Sequence, residues 1–166
     1  MKLGAADALI LLAAAALLFA ALHDIAFRTI PDWVSAVLAT DAVLLRLLDH
    51  HLLVALACGL AVFASAAFCW HRGWLGGGDV KLLGATAILV PPSLVPGYIA
   101  AVAFAGGGLA LVYLLLERIV PAPRPRHPAS LLWRILIVEC RRIHRRASLP
   151  YATAITAAAL LTLARG

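Results

Sequence analysis

Apolar runs recur at about residues 5–22, 33–48, 52–70, 80–96, 97–116 and 149–164, and this succession constrains the fold more than any other feature of the chain. A helix crossing the roughly 30 Å hydrocarbon core of a bilayer needs about 17–25 mainly apolar residues, because no water is present there to satisfy backbone groups. The pattern predicts an all-α integral membrane protein with six transmembrane helices, the second, fourth and sixth of them short. Composition agrees: 64% of residues are hydrophobic and 13% charged, against roughly half and a quarter in a soluble domain. One polytopic domain over 1–166 is the expectation. The first run follows Lys2 and has the outline of a signal peptide, but no soluble mature domain follows it, so it is read as a retained span.

Proline and glycine punctuate the joints: Pro31, Gly73 to Gly78, the "PPSLVPG" turn at 91–97 and "PAPRPRHP" at 121–128. Basic residues set the orientation. With the amino terminus outside, the inner connections 23–32, 71–81 and 117–148 hold eleven of the fourteen Lys and Arg residues. The outer side keeps Lys2, Arg46 and Arg165. Both termini are therefore expected outside the cytoplasm, and the net charge of +6 reports membrane topology rather than a nucleic-acid partner. The segment 129–147 is too short in its apolar part to span. It reads as an amphipathic helix on the inner leaflet, with Trp133 at headgroup level and Arg134, Arg141, Arg142, Arg145 and Arg146 toward anionic lipid. A solvated basic loop that enforces topology is the plainer alternative.

Two acids stand at the inner ends of spans. Asp24 follows the first in "LHDIAFRTIPDW", and Asp79 precedes the fourth in "GWLGGGDVKLLG". Two crossings separate these loops, so both acids face the same side. A carboxylate at a membrane boundary costs free energy unless it is paired, protonated or hydrated, which makes such residues functional candidates. Two adjacent carboxylates cannot both ionise cheaply, so they share a proton. One can then act as base toward a water while the other protonates a scissile carbonyl, the chemistry of an aspartic protease. Gly76, Gly77 and Gly78 lack Cβ atoms, so an extended substrate could approach their backbone closely. The plainer reading of the same residues is a flexible turn with a helix-capping aspartate. The helix dipoles predict that Asp79 stays ionised, at the start of a helix, and that Asp24 takes the proton, at the end of one.

The stretch "GGGDVKLLGA" resembles the GxGD signature of the type IV prepilin peptidases, with the Lys-Leu that commonly follows it. "DIAFRTIPDW" looks like that family's first aspartate motif, and "LPYATAI" at 149–155 resembles its closing Pro-Tyr motif. The resemblance implies a six-helix GxGD-type aspartic protease of the bacterial inner membrane. It would remove the short basic leader of prepilins or pseudopilins at the cytoplasmic face, without a cofactor or metal. On that resemblance, Asp24 and Asp79 are the catalytic pair and Gly76 and Gly78 the signature glycines, with Gly77 in the same loop. Lys81, Pro31, Pro150 and Tyr151 are supporting residues. Asp32 stands where the family more often has Asn, and Ala152 where Gly commonly follows Pro-Tyr. Long members carry an insert with paired cysteines and methylate the new amino terminus. Cys58, Cys69 and Cys140 form no Cys-x-x-Cys, so the chain looks like the short form serving Flp or Tad pili, of the CpaA and TadV type.

Two rival readings use the same acids. His23, Asp24, His71 and Asp79 map to one side and could bind a metal, although no His-Glu-x-x-His helix is present. A small transporter or accessory membrane subunit could use the acids as a proton or ion site. Asp41, near the middle of the second span, must face the bundle interior, as a structural acid or a substrate contact. The second triple glycine, Gly106 to Gly108, reads as a close helix–helix contact.

Overall fold

A computed structural model describes residues 4–119 and 149–165. The proposed surface helix at 129–147, with its arginines, lies outside the described residues, as do Lys2 and Cys140. Among the described residues the chain forms six α-helices. They are α1 (Ala5–Phe27), α2 (Asp32–Leu48), α3 (Leu52–His71), α4 (Gly77–Leu89), α5 (Val95–Ile119) and α6 (Tyr151–Leu163), with a 3₁₀ turn at Pro92–Leu94 before α5. Among the described residues three stretches are long and apolar enough to cross a membrane: α1, α3 and the run Pro92–Ile119.

The other helices differ from the sequence expectation in a consistent way. The fourth ends at Leu89 rather than near residue 96, because "VPPSLVP" cannot continue a helix: Val90 turns extended before Pro91. At 13 residues each, α4 and α6 rise about 20 Å, short of the hydrocarbon thickness. They are also the best buried helices, and their sequences explain why. Gly84, Ala85, Thr86 and Ala87 on α4, and Ala152, Ala154, Ala158 and Ala159 on α6, leave little side chain between backbones. The helix α4 packs against α2, α3 and α6; α6 in turn packs against α1 and α5. Leu82 and Leu89 of α4, Leu38 of α2 and Leu17 of α1 are fully enclosed in this core.

Polar groups inside the bundle mostly close on backbone carbonyls. The Thr156 hydroxyl donates to the Leu17 carbonyl at 2.9 Å, joining α6 to α1. Arg46 Nη2 donates to the Leu89 carbonyl at 2.9 Å, capping the end of α4 from α2, and Nη1 pairs with Asp49. Asp41 is 2% exposed, and neither carboxyl oxygen has a hydrogen-bond partner among the described residues. Glycines set two interhelix approaches. A Cβ at Gly84 would stand 3.0 Å from the Phe63 ring, so α3 and α4 meet there. In the second triple glycine, Gly106 meets the Tyr151 ring, while Gly107 and Gly108 have no such neighbour among the described residues. The close-contact reading thus holds for one of the three glycines.

Candidate functional site

The joints after α1, before α4 and before α6 meet at one end of the bundle. They enclose a cavity of about 650 Å³ lined by both Asp24 and Asp79. The two acids reach it from opposite ends of their helices. Asp24 lies in the last turn of α1, which runs on to Phe27. Arg28 ends that helix in the left-handed region, φ 57°, and its N–H donates to the Asp24 carbonyl at 2.8 Å. Its guanidinium Nη2 donates to the Tyr113 hydroxyl on α5 at 3.0 Å and also lies over the Tyr113 ring. A charged residue in this conformation is uncommon. Here it places a cation at the wall of the cavity.

Asp79 stands in the first turn of α4. Its N-cap, Gly76, has no side chain to cap the helix, whose first residues are glycines. Each glycine of the loop has its own neighbour. A Cβ at Gly76 would stand 2.8 Å from Asp79 Oδ2, so the bare backbone lets that carboxylate fold back over the helix start. A Cβ at Gly77 would stand 3.5 Å from Trp70 Nε1, and one at Gly78 3.1 Å from Ile30 Cβ. The triple glycine therefore brings α4 against the end of α3 and the α1–α2 connection. Burial pushes the Asp79 carboxyl up to about 7, helped by the charge of Asp24 and opposed by the Gly76 N–H.

The third wall comes from α6. Tyr151 lines the cavity, with its ring packed on Gly106. The next residue, Ala152, donates its backbone N–H to Asp24 Oδ2 at 3.1 Å. Asp24 is thus at the end of its own helix and at the start of another, where free N–H groups favour a negative charge. The dipole expectation counted only α1 and missed α6. Burial raises the Asp24 carboxyl too, but there the Ala152 N–H and the Arg28 cation oppose it, whereas at Asp79 burial and the charge of Asp24 act together against the Gly76 N–H; this balance favours the shared proton on Asp79.

The other expected residues take structural places. Pro31 and Pro150 precede the first residues of α2 and α6 as their N-caps. Lys81 does not line the cavity; its Nζ meets Asp32 Oδ1 at 2.6 Å. Asp32 itself does line it. Among the described residues no three His, Cys, Asp or Glu side chains gather as metal ligands, and His23 Nδ1 turns to the Thr29 carbonyl at 2.7 Å. Arg28, inside the "DIAFRTIPDW" motif and counted toward topology, was not among the expected site residues. Its place four residues after Asp24 was a usable signal, whereas its Tyr113 partner, 85 positions on, was not.

A family model described as the type IV leader peptidase family matches residues 9–111. That range holds Asp24, Pro31, Gly76, Gly77, Gly78, Asp79 and Lys81, and stops before Pro150 and Tyr151. No curated relative and no solved structure matches the chain.

Proposed function

Because the chain belongs to the type IV leader peptidase family, we propose that it is a membrane aspartic endopeptidase using Asp24 and Asp79 to remove the short basic leader of prepilins or pseudopilins. The observation that carries this reading is the single cavity lined by both carboxylates and by the glycine loop beside them.

In this mechanism Asp24 is ionised, beside Arg28 and under the Ala152 N–H. It removes a proton from a water as the water oxygen bonds to the scissile carbonyl carbon. Asp79 gives its proton to the carbonyl oxygen. The tetrahedral gem-diol then collapses: the C–N bond breaks, Asp24 gives the proton to the leaving amine, and one diol hydroxyl returns its proton to Asp79, which restores the starting pair. The Gly76 to Gly78 backbone leaves room for an extended strand of substrate beside the acids.

The reading extends to six membrane crossings, with the dyad at the cytoplasmic face and both termini on the far side of a bacterial inner membrane. It also places the chain with the short form serving Flp or Tad pili, cleaving without methylating; the lack of a Cys-x-x-Cys pair supports this. The test is coexpression with a candidate prepilin. Leader loss with the wild type and none with Asp79→Asn is the expected outcome. An intact leader with the wild type, or equal processing by both, refutes the reading.

A further inference from the structure

Helices α1 and α5 both pack on α6 and make no extended contact with each other. At the cavity end one side chain bridges them. Arg28 ends α1, and its Nη2 donates to the Tyr113 hydroxyl of α5 at 3.0 Å. Its guanidinium carbon stands 5.7 Å from the centre of the Tyr113 ring. The backbone of Arg28 aims this bridge. Its φ of 57° is disfavoured for a residue with a Cβ, yet it turns the chain out of the helix just where its own N–H closes on the Asp24 carbonyl. One residue thus fastens the backbone of Asp24, lines the cavity and reaches across to α5. Tyr113 lies beyond the residues that the family model matches, and in none of the three motifs.

We propose that Tyr113 is a positioning residue of the dyad: it holds the Arg28 guanidinium at the cavity wall and so keeps Asp24 ionised as the base. The inference rests on the peptidase reading and adds a residue to that site. A half-buried arginine has many rotamers open to it, and at a membrane boundary water and lipid phosphates compete for its charge. A hydroxyl acceptor and an aromatic face together select one of them. The attraction between Arg28 and Asp24 weakens with distance and with hydration, so a guanidinium released from Tyr113 acts less on the carboxylate. Burial raises the Asp24 carboxyl, and the Ala152 N–H, the Arg28 cation and His23 oppose it. The other titratable groups lining the cavity are acids: Asp32 of α2, Asp79 of α4 and the Tyr151 phenol of α6. None of them replaces the cation. On α5 the acid on the same face as Tyr113 is Glu117, one turn further along.

The test is the pH profile of kcat/KM for a prepilin-type substrate, with the full chain in lipid nanodiscs. Its rising limb, on the acid side, reports ionisation of the base. Tyr113→Phe keeps the ring and removes the acceptor, and is expected to move that limb up by about half a pH unit. Arg28→Gln should move it up by about one unit, and Arg28→Lys, which keeps the charge, by less than Arg28→Gln. With Arg28→Gln already in place, Tyr113→Phe is expected to add nothing, because its effect passes through Arg28. A tyrosine that only packs α5 would alter stability or kcat and leave the limb where it is. An unmoved limb in Tyr113→Phe, or the same shift with Arg28 already replaced, overturns the proposal. Infrared titration of the Asp24 carboxyl in an Asp79→Asn background reads the shift without turnover, the band being the one lost on adding Asp24→Asn. A higher midpoint with Tyr113→Phe is expected, and an equal one overturns the hold. Failure of the wild type to cut the substrate, with that midpoint still shifted, refutes the peptidase reading and leaves the hold standing.

Discussion

Asp24 Oδ2 accepts the backbone N–H of Ala152 at 3.1 Å, across 128 positions of sequence. The first helix and the last are thereby joined at the carboxylate itself. That contact has two consequences. It orients Asp24 toward the cavity, and it supplies a fixed partial positive charge to the member of the pair assigned as base.

The acids act as a unit in the proposed reaction, so loss of either removes most of the rate. Asp24→Asn and Asp79→Asn are each expected to lower cleavage by about three orders of magnitude or more, with insertion and expression retained. Quantitative leader removal, read by mass spectrometry, measures it. Processing within tenfold of wild type by either variant sinks the dyad.

Asp79 is pushed up to about 7 by burial and by the charge of Asp24. Below that pH the pair retains its shared proton. Above it both carboxyls are ionised and the acid is gone. Cleavage is therefore expected to fall as pH rises through about 7, by roughly tenfold per further unit. Infrared difference spectra of the wild type and the two Asn variants should place the carboxyl proton chiefly on Asp79. A proton found chiefly on Asp24 reverses the assigned roles, and the two macroscopic steps belong to the pair.

The approach of α3 to α4 depends on Gly84, whose added Cβ would stand 3.0 Å from the Phe63 ring. Gly84→Leu is expected to cost about 1–3 kcal/mol by overpacking. Gly107→Ala, on a glycine whose added Cβ meets nothing within 4 Å among the described residues, serves as the control and should not destabilise. Thermal unfolding in detergent compares them; equal melting temperatures for Gly84→Leu and the wild type would show that the two helices are not held there.

The joints near Arg28, Leu75 and Leu149 share one cavity, and the Arg46–Leu89 contact marks the other end of α2 and α4. Reporter fusions after Thr29, Trp74 and Pro125 are therefore expected to read as cytoplasmic. Those after His50 and Pro96, and at the carboxy terminus, are expected on the far side. A cytoplasmic carboxy terminus breaks the six-crossing arrangement.

Helix existence was legible from the length of the apolar runs and from the proline and glycine breaks between them, because both are local properties of the chain. The candidate acids were legible for a similar reason. Asp24 and Asp79 interrupt apolar surroundings, and GGGD places backbone without Cβ atoms beside one of them. Helix ends were less so: α1 continues through Asp24 to Phe27, and α4 stops at Leu89. The first depends on an unusual left-handed cap at Arg28. The second depends on where the prolines at 91 and 92 let a buried helix end.

By itself, the sequence determined that the chain is helical and built of long apolar runs, and that two acids stand at the ends of such runs. Those properties follow from composition and local order. Only the tertiary structure decided the partners. Ala152 reaches Asp24, Gly76 leaves space for the Asp79 carboxylate, Tyr151 rests on Gly106, and Lys81 goes to Asp32 rather than to the cavity. It also changes where the proton is expected, because Asp24 meets the start of α6 as well as the end of its own helix. Contacts across so many residues depend on how small side chains let the helices close on one another, and no local pattern encodes that distance.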